Sequence, residues 1–308
     1  MSKGSDITKK QHYIPQVYLR GFSPEYKRNN GDLPLSRYTI FCHDLSVKDQ
    51  IKKAIPVKSI CYSENLYEVT DCEGKIVLGN RLERFFSVLE KMFGNYRHEL
   101  ERKAFIEDNY RTKCFLTSEE KVFWVAYIII QILRLPQILD LAERTSLEIL
   151  GKQININQAQ NIAKRFCLPF FEEMKEDSQE TAVFNALFDL MKNMSFAVGV
   201  DKRARIITSD KPVHIYSKEY PCEEYERIIF PITSEICLFM FGGEDKKRYP
   251  KNSLFPIGDD GREEILKSMA DSSFGKIYSN HLLDKKEKKF VEEVLIEKEA
   301  KTCPTLTL

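Results

Sequence analysis

The stretch Val122–Leu135 is the most apolar window of the chain and sets the terms for the rest of the fold. It is interrupted only by polar Gln131 and Arg134, yet at about 14 residues it falls short of the ~20 that a membrane-spanning helix needs. Too apolar for a surface and too short for a bilayer, it reads as a core helix. Thr117-Ser118-Glu119-Glu120 opens that helix with a hydroxyl cap and first-turn acids, and Pro136 should kink or interrupt it.

The flanking sequence fits around this helix. Leu82, Phe85, Phe86, Leu89 and Phe93 recur at three- and four-residue steps, which predicts an amphipathic helix from Asn80 to about Phe105. Asn155–Lys175 and Gln179–Lys192 supply two more helical patterns. Before these, Leu35–His43 and Val57–Val77 carry short β-branched and aromatic runs. The turn Asp71-Cys72-Glu73-Gly74 separates Leu66–Val69 from Lys75–Leu78, so a small antiparallel β layer is expected. Lys27–Asp32 reads as a solvated loop. After the helices, Phe196–Val200, Arg205–Thr208, Ile228–Ile232 and Ile236–Phe241 look like strands, and Arg262–Met269 and Leu282–Lys298 like helices. The expected fold is α+β, a single domain over 1–308. It has an N-terminal motif and β layer (1–79), a central helical bundle (80–194), and a C-terminal β segment with closing helices (195–308).

Hydrophobic content of 43% with 30% charged residues suits a globular core, and 308 residues suffice to bury one. A net charge of +1 argues against a surface coated with basic groups for nonspecific phosphate binding. The eight cysteines include no Cys-x-x-Cys pair, and Met1–Asp6 is not the apolar stretch of a secretory signal. A reducing cytoplasm is the expected location, with no membrane partner.

The polar residues that local structure does not demand gather in a few places. Gln11–Phe22 packs His12, Gln16, Tyr18 and Arg20 between Ile14, Val17, Leu19 and Phe22. His12 titrates near neutral pH and suits a general base, a metal ligand or a structural role. In an extended segment Gln16, Tyr18 and Arg20 share one face, fit for an anionic or amide-bearing ligand or for a half-exposed edge strand. Glu83 and Glu90, two helical turns apart, suit a divalent cation, a basic side chain or plain exposure. Gln131 and Arg134 lie three apart on the apolar helix, and a guanidinium there needs an acid partner such as one from the Glu83 helix. Thr208-Ser209-Asp210-Lys211-Pro212 ends a strand in a polar turn, where Asp210 would hold a metal and Lys211 neutralise phosphate, or where Asp210 before Lys-Pro is an ordinary turn former. No Walker loop, Rossmann glycine fingerprint, Gly-x-Ser-x-Gly elbow or His-Glu-x-x-His helix is present.

These residues resemble a bacterial family of domains of unknown function, number 4238 in its series, whose members begin with His-Tyr-x-Pro-Gln-x-Tyr-Leu-x-x-Phe, here His12–Phe22. The resemblance continues through Tyr62–Tyr67, Leu82-Glu83, Leu89-Glu90, Gln131-x-x-Arg134-x-Pro136, Thr208-Ser209-Asp210-x-Pro212, Phe230–Thr233 and Asn280. Lys211 stands where the family pattern has Asn. The resemblance implies one motif set containing His12, Gln16, Glu83, Glu90, Gln131, Arg134 and Asp210.

Two functions compete. One is a hydrolase of phosphodiesters, a nuclease of a bacterial defence or toxin system. Its catalytic residues would be His12, Asp210 and Arg134, with a divalent metal (Mg²⁺ or Mn²⁺) on His12, Glu83, Glu90 and Asp210. Gln16, Tyr18, Arg20, Gln131 and Lys211 would then contact a nucleic-acid substrate. The other is a non-catalytic sensor in which Arg134, Arg20, Gln16 and Gln131 hold a small anionic ligand or a protein partner. A purely structural motif set is a third reading.

Overall fold

The computed structural model describes residues 8–26, 33–47, 54–71, 73–76, 79–106, 115–168, 182–216, 225–248 and 251–302. The architecture is α+β with a helical middle, as the sequence patterns indicate. The chain divides into two compact units, each assembled from three stretches. A helical unit takes Met1–Pro15, Ile60–Asn95 and Val122–Lys192, and a sheet unit takes Gln16–Ser59, Tyr96–Lys121 and Asn193–Leu308. The Lys27–Asp32 loop, the end of the Asn155–Lys175 helical pattern from 169 and the start of the Gln179–Lys192 pattern up to 181 lie outside the described residues.

In the helical unit, strand Lys10–His12 pairs antiparallel with Tyr62–Glu64, Gln11 facing Ser63. Around it stand the helices Pro136–Leu150, Ile156–Cys167 and Ala182–Met191, with the first part of Arg81–Ile106 and most of Ser118–Leu133. The apolar stripe of Arg81–Ile106 is the buried one, with Leu82, Phe86, Leu89 and Phe93 all inside. Phe93 stacks on Tyr127 with ring centroids 4.6 Å apart and meets Trp124 edge-on, an arrangement that adds to the ~1.5–3 kcal/mol from burying each large apolar side chain. Thr117 and Glu120 cap the second helix reciprocally, Glu120 N donating to Thr117 Oγ1 and Thr117 N to Glu120 Oε2. Pro136 begins the next helix, bent by 65° from its predecessor. Among the described residues no single helix is long and apolar enough to cross a membrane.

The sheet unit holds two sheets. The larger has the strand order Ser253–Pro256, Ser195–Val200, Ile236–Phe241, Arg227–Pro231 and His214–Tyr216, antiparallel except for its first pair. Ser195–Val200 and Ile236–Phe241 are buried at every position, as continuous apolar central strands should be. A side chain at Gly199 would come within 2.7 Å of Ile257 and 2.9 Å of Phe239, so any larger residue there would force those side chains to shift. The second sheet runs Ile55–Pro56, Thr39–Asp44, Lys276–Ser279, Thr208–Ser209. The unit also contains the helices Asp259–Ser272 and Lys285–Thr302.

Three local expectations need correction. Gln16–Leu19 is helical and Arg20–Phe22 is a 3₁₀ turn, so Gln16 and Arg20 share a side of the chain that Tyr18 does not. The antiparallel pairing expected around Asp71 is, among the described residues, a single Thr70–Ile76 bridge, because Asn65 turns left-handed and the Tyr67 N–H donates to the Gln11 side chain instead of to a strand. Of Arg205–Thr208 only Thr208 lies in a strand. Ala204 has a positive φ and donates back to Asp201, which breaks the ladder before it.

Candidate functional site

Arg134 is the centre of the most unusual surroundings in the helical unit. Its N–H continues the helix to Ile130 O at 3.0 Å, and its side chain, only 1% exposed, runs into the apolar interior. A buried guanidinium is costly unless paired. Nη2 donates to the main-chain oxygen of His12 at 2.5 Å, Nε reaches Tyr67 Oη at 3.4 Å, and the Phe86 ring lies 4.1 Å below the cation. Nη1 is 3.6 Å from Glu90 Oε1, an ion pair too long to be a hydrogen bond. Burial opposes the charge, but Tyr67 and Glu90 outweigh it and raise the Arg134 pKa above its usual value.

The carboxylates of the neighbouring helix are arranged unequally. Glu90 takes the arginine and remains 29% exposed, whereas Glu83 is pushed up to about 7. Burial is the chief cause, with Glu90 and Glu68 reinforcing it against Arg134. Tyr67 is driven to about 12 by burial, opposed by Arg134. One turn before Arg134, on the same side of its helix, Gln131 is 1% exposed, and among the described residues neither Nε2 nor Oε1 of its amide has a hydrogen-bond partner. Arg134 Nη1 also lacks a hydrogen bond. Buried polar atoms are nearly always paired, so three such orphans on one helical face demand an explanation.

A second layer fixes the first. Gln11 Nε2 donates to Glu68 Oε1 at 2.5 Å, while its amide oxygen accepts from Tyr67 N at 2.6 Å. Both oxygens of Glu68 accept from Asn80 N, and Lys164 Nζ donates to Glu68 O. This lattice holds Tyr67 against Arg134. Sequence reasoning missed Tyr67, Glu68 and Lys164; the available signal was an acid, Glu68, inside the apolar run Leu66–Val69.

Of the residues singled out in the sequence, His12, Glu83, Glu90, Gln131 and Arg134 belong to the helical unit, and Gln16, Tyr18, Arg20, Asp210 and Lys211 to the sheet unit. His12 serves Arg134 through its carbonyl, and its ring lies 5.6 Å from that of Tyr62. Tyr18 is a core residue and not a surface contact: it is fully buried and stacked on Phe230. Its hydroxyl is shared with Thr208 Oγ1 at 2.7 Å and with Pro231 O at 2.8 Å. Gln16 and Arg20 are half-buried, and Arg20 lies 5.5 Å over Tyr38. Asp210 is buried, and its two oxygens accept from Phe274 N at 2.8 Å and Lys276 N at 3.1 Å, closing the turn that feeds strand Lys276–Ser279. Burial nevertheless lifts its carboxyl to about 6. Lys211 lies 5.6 Å over Phe274, its pKa lowered by burial and by Lys298.

Among the described residues no group of three or more His, Cys, Asp or Glu is placed to hold a metal ion. Of the residues expected to hold one, Glu90 is turned to Arg134, and the two oxygens of Asp210 each accept from a main-chain donor. A cavity of about 660 Å³ in the sheet unit contains none of the sequence-derived residues, and its Arg227 already pairs with Asp245 and Glu264.

A family model described as "protein of unknown function (DUF4238)" matches residues 10–282 of the chain. The chain belongs to that family. No curated protein and no solved structure matches it. In this DUF4238 member the residues singled out in the sequence divide between the helical unit, where His12 and Glu90 meet Arg134, and the sheet unit, where Tyr18 meets Thr208 and Pro231.

Proposed function

We propose that the protein is a non-catalytic binding module that holds a small polar ligand at Gln131 and Arg134. The observation that carries this reading is the buried Gln131 amide, with neither of its polar atoms hydrogen-bonded, beside an Arg134 Nη1 in the same condition. An unpaired buried amide costs about 1–3 kcal/mol, and a ligand that supplies an acceptor to Nε2 and Nη1 and a donor to Oε1 would remove that cost. Glu83 and Glu90, the carboxylates that Arg134 faces, are partly exposed.

The charge of the site bears on the ligand. Arg134 faces Glu90 and feels Glu83, so the cluster already has as much negative charge as one cation can balance, and Glu83 is raised for that reason among others. An isolated anion fits poorly. A neutral molecule with an amide-type edge, donor beside acceptor, fits best. The phosphodiesterase reading has less support, since the oxygens of Asp210 are engaged in a turn and among the described residues no group of three or more His, Cys, Asp or Glu is placed to hold a metal.

The test is a thermal-shift series with uracil, nicotinamide and L-glutamine as amide probes and inorganic phosphate as the anion. At least one amide probe is expected to raise the Tm of the full chain, phosphate to leave it unchanged, and Gln131→Leu to abolish the shift. Stabilisation by phosphate alone, or an equal shift in Gln131→Leu, would overturn the proposal.

A further inference from the structure

A second site in the helical unit does not involve Gln131. The helices Pro136–Leu150 and Ile156–Cys167 border a cavity of about 230 Å³, lined by Asn65, Leu139, Asp140, Glu143, Gln160 and Lys164 among others. Lys164 differs from Lys103 and Lys192 in what its ammonium meets. Lys103 meets Glu120 at 2.6 Å and Lys192 meets Asp189 at 2.5 Å, but Lys164 donates to a neutral main-chain oxygen, that of Glu68, at 2.5 Å. Among the described residues no carboxylate comes within ion-pair distance of its Nζ. An ammonium held half-buried by a carbonyl and beside a cavity has lost hydration without gaining a counter-ion.

We infer that Lys164 is a carbonyl-reactive lysine, whose amine adds to a small uncharged hydroxyaldehyde held in this cavity and forms an imine with it. Burial lowers the Lys164 pKa from its ordinary range, although Glu68 and Glu143 push the other way, so a larger share of neutral amine is present near neutral pH than at an exposed lysine. In the reaction the nitrogen lone pair forms the C–N bond and the carbonyl electron pair moves to oxygen, which takes a proton from the nitrogen to give a carbinolamine. Loss of that hydroxyl with the remaining N–H proton releases water and leaves the C=N bond. Nothing is oxidised or reduced. The aldehyde class follows from the walls: the cavity is smaller than the ~300–1,000 Å³ of drug-sized sites. Asn65 and Gln160 suit hydroxyls, while Glu64, Asp140 and Glu143 repel a keto acid.

The experiment is reductive trapping on the full chain with sodium cyanoborohydride, using glycolaldehyde and, separately, glyoxylate, followed by peptide mass mapping. With glycolaldehyde, Lys164 is expected to be labelled at least tenfold faster than the exposed Lys192 and Lys247. Glyoxylate is expected to label Lys164 several-fold more slowly than glycolaldehyde does, with no such preference at Lys192. Labelling of Lys164 no faster than of Lys192 and Lys247 would overturn the inference, and so would equal rates for the two probes at Lys164.

Discussion

The Arg134 guanidinium donates to the main-chain oxygen of His12 at 2.5 Å, joining residues 122 apart in sequence. The strand pairing of Lys10–His12 with Tyr62–Glu64 fixes that oxygen, so the histidine position matters to Arg134 through the backbone whatever its ring does. Arg134→Leu removes the ion pair with Glu90 and the hydrogen bond to the His12 carbonyl. It is expected to cost about 3 kcal/mol in urea unfolding, the scale for breaking a buried charge pair. Adding Glu90→Leu should recover part of that loss; a double-mutant cycle with zero coupling would remove Glu90 as the partner.

Tyr18→Phe keeps the ring on Phe230 and removes only the hydroxyl shared by Thr208 and Pro231. Two buried groups lose their partner, so a destabilisation of about 1–3 kcal/mol is expected. A Tm equal to that of the parent would show that the hydroxyl contributes nothing to the sheet unit.

Glu83 and Asp210 give stability a definite pH dependence. Each carboxyl is raised in the folded state, Glu83 from 4.5 to about 7 and Asp210 from 3.8 to about 6, so the folded protein binds more protons than the unfolded chain between those values. Their combined contribution is therefore most favourable at or below about pH 4 and is lost as pH rises toward 7. Glu83→Gln should raise stability at pH 8 by about 1–2 kcal/mol after allowance for solvent screening, and change little at pH 4. A gain of the same size at both pH values would contradict the assigned shift.

The helices were legible because apolar spacing reports them directly. Leu82 to Phe93 and the Val122–Leu135 run land in buried helices, and Thr117 and Pro136 act as start and break. The need of Arg134 for an acid was legible too, since desolvation of a guanidinium is a local argument. The role of Tyr18 was not, because period alone does not tell a helical turn from an extended segment over so few residues. Glu68 was hidden for a similar reason: its partners Gln11 and Asn80 are brought to it by tertiary structure alone. The condition of Gln131 depends on what the fold fails to place beside it, which no residue spacing encodes.

The measurement that bears most directly on the binding reading is the stability of unliganded Gln131→Leu in urea. If the Gln131 amide is retained for a ligand and not for the fold, replacing it with an apolar side chain of similar size removes an unpaired buried polar group and should stabilise the free protein by about 1 kcal/mol. A loss of 2 kcal/mol or more would show that the amide is paired in the free protein, and would contradict the assignment of Gln131 as a ligand-binding residue.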